Sequence, residues 1–279
     1  GNLYAFNPSS AARSGSPGDV AKDRANNTLT RSVVNTPWQR HQSACWGDTF
    51  YLINAIDIPL CFNGYVWDMA GWSGPAGTPT AMSMAHPHAI DSGTPPIFMD
   101  NIGLGPTDTV DVNYKFARRY RVSFINDRGA ESPLSEPSDL VYHTNVPTSG
   151  AHFAKVGIPI GPASCVARRV YATQNVYSAD NTLIFGRDTQ FYFHSLRDNN
   201  NEQIIQDGLD DAYLGALVNP DDFGAFPAQA KYITSFRGRM YAAVDGTLRY
   251  SRKGQPENWP PNNVIDVGDA HLGPITSLY

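Results

Sequence analysis

Short apolar runs broken by turn residues recur along this chain, and apolar residues at helical spacing do not. No stretch of eleven or more residues keeps apolar positions at i, i+3, i+4 and i+7, so no amphipathic helix is predicted. The clearest alternation lies in "YKFARRYRVSFIN", where Tyr120, Val122 and Phe124 alternate with Arg119, Arg121 and Ser123. That period of two predicts a strand with one buried face. "AESPLSEPSDLVYHTN" reads as a second strand interrupted by prolines, and "HFAKVGIPI", "VARRVYATQN", "TLIFGRD", "TQFYFHSL" and "NEQIIQDGL" as five more. Seven short strands in about 100 residues suit an immunoglobulin-like or fibronectin-like sandwich. The Cys…Trp…Cys core of antibody domains is missing, which favours the fibronectin type.

On either side the texture differs. "DTFYLINAI", "DIPLCFNG" and "YVWDMAGW" precede the sandwich; "AKYITSF", "GRMYAAV", "TLRYS", "NVIDVG" and "PITSLY" follow it. In the second set Asp245–Gly246 is a two-residue hairpin signal, expected to place both residues at positive φ. Four-strand units with a Trp-bearing loop suggest propeller blades. The chain is therefore expected to be all-β: an N-terminal arm or long loop (1–35), a propeller-like segment with a Gly/Pro-rich connector (36–111), an inserted sandwich (112–214) and a returning propeller-like segment (215–279).

Composition sharpens this picture. Charged residues make up 17% of the 279, against roughly 25% in average globular proteins, and 24 Gly with 21 Pro supply many turns. The net charge of −5 argues against a protein that grips nucleic acid by neutralising phosphates, although an acidic wall can surround DNA and leave it mobile. Cys45, Cys61 and Cys165 are odd in number and widely spaced, which predicts three small buried apolar residues and no disulfide framework, as suits maturation in a reducing cytoplasm. No run of 18 apolar residues is present to span a membrane, and the first residues do not read as a signal peptide. A first residue of Gly and a last one inside a strand-like run predict a processed product or part of a longer chain.

Candidate chemistry is sparse. His86 and His88 flank a proline near Asp91, a His-x-His pattern with a carboxylate that can bind Zn²⁺ or Cu²⁺, but the spacing supplies no further ligand. The stretch Asp198 to Asp211 is rich in oxygen ligands, yet Gln203 and Leu209 fall where a calcium loop needs Gly and Glu, so a solvated turn is expected. The pairs Asp210–Asp211, Asp221–Asp222 and Asp266–Asp269 read as acidic turns between strands. Nucleophile-elbow, zincin, Walker A and dinucleotide fingerprints are all missing. Trp38, Trp46, Trp67, Trp72 and Trp259 are expected to staple sheets or fill interfaces more readily than to form a sugar platform. No catalytic residue, metal or cofactor is expected.

Three stretches taken in order resemble a known family. Residues 36–64, "TPWQRHQSACWGDTFYLINAIDIPLCFNG", resemble a blade of phage tail proteins. "YRVSFINDRGAESPLSEPS" (120–138) with "VARRVYATQN" (166–175) resembles their inserted fibronectin-like module. Residues 204–261 resemble the return to the propeller. The combination is similar to the tubular and nozzle proteins of short-tailed phages. Asn54, Asp57 and Pro59 match the first blade turn; Gly129, Glu131, Ser132 and Ser135 match the sandwich turn; Gly238, Gly246, Ser251, Pro256 and Trp259 match the later blade. All are structural positions. Lys253 departs from the pattern, which has an acidic residue there, and closing blades would have to lie beyond Tyr279 or be absent.

The resemblance implies a homo-oligomeric ring, commonly a hexamer, stacked below a portal or adaptor and touching other tail proteins. Genomic DNA would pass through without specific binding, and no catalysis is implied. The place would be the virion tail, assembled in the host cytoplasm. Two other readings stay open: a carbohydrate-binding or receptor-binding tail component, and a secreted β-propeller module.

Overall fold

The computed structural model describes residues 41–72, 76–77, 79–81, 116–146, 151–201, 203–267 and 275–278. Nearly all regular structure is antiparallel β, with three short 3₁₀ turns (Arg187–Thr189, Asp211–Tyr213 and Pro220–Asp222) as the only helical geometry among the described residues.

The first unit is a four-stranded meander of β1 (Gln42–Trp46), β2 (Thr49–Ile53), β3 (Leu60–Phe62) and β4 (Trp67–Met69), paired in chain order. Its pleat sorts side chains onto two faces: Tyr51, Ile53 and Cys61 on one, Phe50, Leu52, Leu60, Phe62 and Trp67 on the other. Both faces are apolar, so "DTFYLINAI" reads as a continuous buried run.

The middle of the chain supplies β5 (Thr80–Ala81), β6 (Ala117–Arg118), β7 (Tyr120–Asn126), β8 (Val141–Tyr142), β9 (Thr144–Val146), β10 (Ala151–Gly157), β11 (Cys165–Ala172), β12 (Tyr192–Arg197) and β13 (Ile204–Asp207). One sheet runs β12-β11-β7; a second runs β13-β10-β5, with β9 also on β10. Tyr120, Val170 and Ala172 of the first pack with Ala154, Val156 and Ile205 of the second in one buried cluster. The alternation read at 120–124 is realised: Tyr120, Val122 and Phe124 are buried and Arg121 is half-buried. Ser123 is buried too, because its hydroxyl has a partner described below.

The expected strand over "TLIFGRD" is not formed. Asn181 and Gly186 sit at φ +63 and +80, which break an extended run, and Leu183 keeps only a single bridge to Tyr177.

The second meander is β14 (Tyr232–Phe236), β15 (Arg239–Val244), β16 (Thr247–Tyr250) and β17 (Val264–Asp266), again paired in chain order. Arg237 and Gly238, at φ +45 and +76, form the tight turn between β14 and β15. The Asp245–Gly246 hairpin is present, but only Asp245, at φ +51, takes the left-handed conformation; the expectation that both residues do so is corrected. The terminal stretch "PITSLY" forms no strand over its described residues 275–278, where Ile275 donates one backbone hydrogen bond to Asp245.

The two meanders touch through their first strands, β1 and β14, and share a core. Tyr51, Ile53 and Cys61 from one meet Ile233, Met240 and Ala242 from the other, with Phe226 and Trp259 filling the space between from loops. Each large side chain buried there stabilises by about 1.5–3 kcal/mol before entropy is counted.

Candidate functional site

The loop after the second meander's third strand, "RKGQPENWPP", carries the residue that joins the pieces. Glu257 is buried among three parts of the chain. Its Oε1 accepts from the Tyr51 hydroxyl at 3.1 Å and from Arg128 Nε at 2.5 Å. Its Oε2 accepts from Gly71 N at 2.9 Å, Asn126 Nδ2 at 2.9 Å and Arg128 Nη2 at 3.0 Å. Tyr51 and Gly71 belong to the first meander, Asn126 ends β7 and Arg128 lies in the turn after it. Arg128 also donates to the Met69 carbonyl at 3.1 Å and reaches Asp68 at 3.4 Å.

Gly71 makes this approach possible. It stands at φ +66, and a Cβ there would come within 3.1 Å of the Glu257 carbonyl. Burial and the Glu257 charge push the Tyr51 hydroxyl and the Cys61 thiol well above their ordinary pKa, so both stay protonated. Burial opposes the charge of Arg128, but Glu257 outweighs it and holds the guanidinium ionised.

Trp259, on the same loop, lies 4.9 Å from the Phe226 ring and donates its backbone N–H to Gly224. A Cβ on Gly224 would lie 1.6 Å from the Trp259 carbonyl oxygen, so only glycine fits. Pro256 is half-buried in this loop beside Glu257.

A second buried polar group sits inside the middle module. Asp207 accepts from Arg118 Nη1 at 2.9 Å, the Tyr120 hydroxyl at 2.5 Å and Leu209 N at 2.8 Å. His194 Nε2 lies 2.9 Å and His143 Nε2 3.6 Å from its carboxylate oxygens. Arg118 Nη2 donates to Asp211 at 2.6 Å, and Asp211 accepts from Asn175 N. Burial pushes the Asp207 carboxyl up, but the His194, His143 and Arg118 groups gathered around it outweigh burial and hold it well below the usual range. A carboxylate so saturated with donors is a poor base; it is a structural anchor.

This corrects the expectation of a solvated turn across 198–211. Asp207 is fully buried. Asn199 accepts from Arg168, which is also buried, and Asn200 bonds the backbone of Gly161 in both directions.

The motif positions at 129–138 act through hydrogen bonds as well. Glu131 accepts from Ser123 at 2.5 Å, from the Tyr171 hydroxyl at 2.6 Å and from Arg169. Gly129, at φ +76, closes the turn onto the Asn126 carbonyl. Ser132, Ser135 and Ser138 then face Phe124, Val122 and Tyr120 of β7. Each serine donates its backbone N–H to the strand carbonyl at 2.9 Å. Each side-chain oxygen accepts the same strand residue's N–H at 2.9 to 3.0 Å. The hydroxyl replaces the carbonyl of an ordinary ladder, so a proline-bearing segment with a three-residue repeat can pair with a two-residue strand. Ser251 does the same to Met240, and Thr173 to Arg119.

The other motif positions are local. Asn54 Oδ1 accepts from Ile56 N and Asp57 N while its Nδ2 donates to Asp57 at 2.7 Å, and the Pro59 carbonyl accepts from Ala70. Gly238 and Gly246 serve the two hairpins. The structure thus gathers no single site from the motif residues; Glu131, Ser132 and Ser135 come together, and Trp259 joins a junction whose Glu257, Arg128 and Asn126 were not singled out in the sequence.

His86, His88, Asp91, Trp38 and Asp269 lie outside the described residues. Among the described residues no group of three or more His, Cys, Asp or Glu is arranged to hold a metal ion. Asp210 caps a 3₁₀ turn, and Asp221 and Asp222 lie in another. Trp46, Trp67, Trp72 and Trp259 all pack in or against apolar clusters. All three cysteines are free, and Cys45 is exposed, against the expectation of three buried thiols. No helix among the described residues is long and apolar enough to cross a membrane.

No family model and no curated protein matches this chain. Among solved structures, a luciferin-regenerating enzyme aligns at 10% identity over 86% of this chain and 79% of its own, with a TM-score of 0.15, a likeness too slight to carry any argument about fold or activity.

Proposed function

We propose that this chain is a structural component of a phage tail, part of a tube or nozzle ring through which genomic DNA is delivered. In this reading the two meanders are propeller blades and the intervening two-sheet module is a fibronectin-like sandwich. The observation that carries it is the Glu257 junction. One buried carboxylate, carried on a loop of the second meander, binds residues of the first meander and of the module between them, as an insertion held rigidly against its host requires. The order of the motifs at 36–64, 120–175 and 204–261 supports the same reading.

The role is mechanical. A wall that guides a polyanion needs stiffness and a charge that does not trap it. Buried ion pairs and serine-paired backbones give the first, and a net charge of −5 suits the second. The chain performs no catalysis, works as a homo-oligomeric ring between a portal or adaptor and other tail proteins, and is assembled in the host cytoplasm.

Native mass spectrometry with negative-stain imaging tests this. A closed ring with a central hole is expected. A chain that stays monomeric at every accessible concentration and is missing from virion fractions would overturn the reading.

A further inference from the structure

The loop between β11 and β12 presents a rigid apolar finger. Leu183 and Phe185 are exposed, Phe185 fully, while Ile184 between them is half-buried. The finger is held from within. Ser178 N donates to the Thr182 carbonyl and Ile184 N to Val176, both under 3 Å, and Arg187 Nη1 ties its far side to the Asn175 carbonyl at 3.1 Å. These bonds fix the loop that carries Phe185, so docking has only the side-chain rotamers left to order, which lowers its entropic cost. Asp180, also exposed, puts a carboxylate on the finger.

Elsewhere on the same chain lies an open cleft of about 470 Å³, lined by Phe226, Pro227, Val244, Trp259, Pro261 and Arg249. A cavity of about 150 Å³ already takes a benzene-sized ring. The Arg249 guanidinium has no carboxylate within ion-pair distance among the described residues, so the cleft offers an apolar floor and one unpaired positive charge. Finger and cleft are both apolar, and they carry charges of opposite sign, Asp180 on one and Arg249 on the other.

We infer that the Leu183–Phe185 finger of one copy docks in the Phe226–Trp259 cleft of a second copy, with Asp180 beside Arg249. The contact joins two different surfaces, so it is head-to-tail: it closes a ring if the rotation between copies closes, and otherwise builds an open chain. This rests on the homo-oligomeric reading above and names the contact that would make it.

The test uses two variants of the full chain, Phe185→Asp and Ala228→Trp. Ala228 is an exposed cleft residue, so the added ring fills the cleft without entering the core. Light scattering and native mass spectrometry report assembly, and thermal melts report folding. Each variant alone is expected to be folded and to associate at least about 30-fold more weakly than the unaltered chain. Mixed one to one, they should form a dimer and stop, because only one productive contact per pair survives. Arg249→Glu, at a half-buried position, is a second cleft variant should Ala228→Trp fail to fold, and it should behave alike in the mixture. If the variants assemble like the unaltered chain, this contact is wrong while the ring reading stands. If each is a folded monomer but the mixture stays monomeric, the contact is wrong as well. If the unaltered chain never associates, the contact falls, and the ring reading falls with it when virion fractions lack the chain as well.

Discussion

Arg128 and Glu257, 129 positions apart, form a two-pronged ion pair in which Nε meets Oε1 at 2.5 Å and Nη2 meets Oε2 at 3.0 Å. The pair welds the turn after β7 to the loop beyond β16. Removing one partner of such a pair leaves the other charge without compensation. Arg128→Met is expected to lower unfolding free energy by about 3–5 kcal/mol. Glu257→Gln, which keeps the shape and part of the bonding, should cost less. Urea titrations of both single variants and the double variant check this; additive losses would show that the two residues do not act as a pair.

Gly224 and Gly246 should respond oppositely to alanine. At Gly224 the new methyl would overlap the Trp259 carbonyl, so Gly224→Ala is expected to disrupt the loop and lose several kcal/mol, or fail to fold. At Gly246 a Cβ meets nothing within 4 Å and the backbone is outside the left-handed region, so Gly246→Ala should be neutral or stabilising by about 0.4–1 kcal/mol. Thermal melts of the two variants side by side decide it.

The serine pairing predicts a graded series. Ser135→Ala leaves the buried Val122 N–H without its acceptor and should cost about 1–3 kcal/mol, whereas Ser135→Thr keeps the oxygen and should cost less. Ser251→Ala should do the same through Met240. Hydrogen exchange at the Val122 and Met240 amides gives a direct readout; unchanged protection in the alanine variants would refute the role assigned to the hydroxyls.

Acid should loosen the middle module first. Asp207 has a folded pKa held below its ordinary value of 3.8, so it contributes stability that is fully present above that value. That contribution is lost as pH falls below about 3.8 and through the folded pKa. Asp207→Asn should lower the melting temperature near neutrality and flatten its decline below pH 4. An equal acid slope in variant and unaltered chain would rule this out.

Thiol labelling separates the cysteines. Cys45 is exposed, while Cys61 and Cys165 are buried, and burial pushes both thiols up. One equivalent of a thiol reagent should be taken up by the native chain and three after denaturation, read by intact mass.

Much of the strand pattern could be read in advance, because Tyr120, Val122 and Phe124 announce a buried face by their spacing and "DTFYLINAI" a buried strand by its continuous apolar run. The Asp245–Gly246 turn was legible for an equally local reason, though not which of the two would take positive φ. The junction was not legible. Glu257 sits in a polar, proline-rich stretch that looks solvated, and its partners Tyr51, Gly71, Asn126 and Arg128 lie 129 to 206 positions away. Asp207 misled in the same way, since a carboxylate in an acidic, asparagine-rich run gives no sign that Arg118 and two histidines will surround it. The serine spacing was visible at 132, 135 and 138, but its meaning depends on a strand whose two-residue period it has to meet.

The segment over Ser132–Ser138 has a further effect on what lies outside the molecule. It covers the open side of β7, which pairs with β11 on its other side. Pro133 and Pro137 have no N–H to offer, and the carbonyls of Pro133, Glu136 and Asp139 are already taken by the serine hydroxyls. A foreign strand arriving there finds little to zip onto. Many copies of this module can therefore crowd together without fusing through their sheets, leaving association to side chains shaped for it.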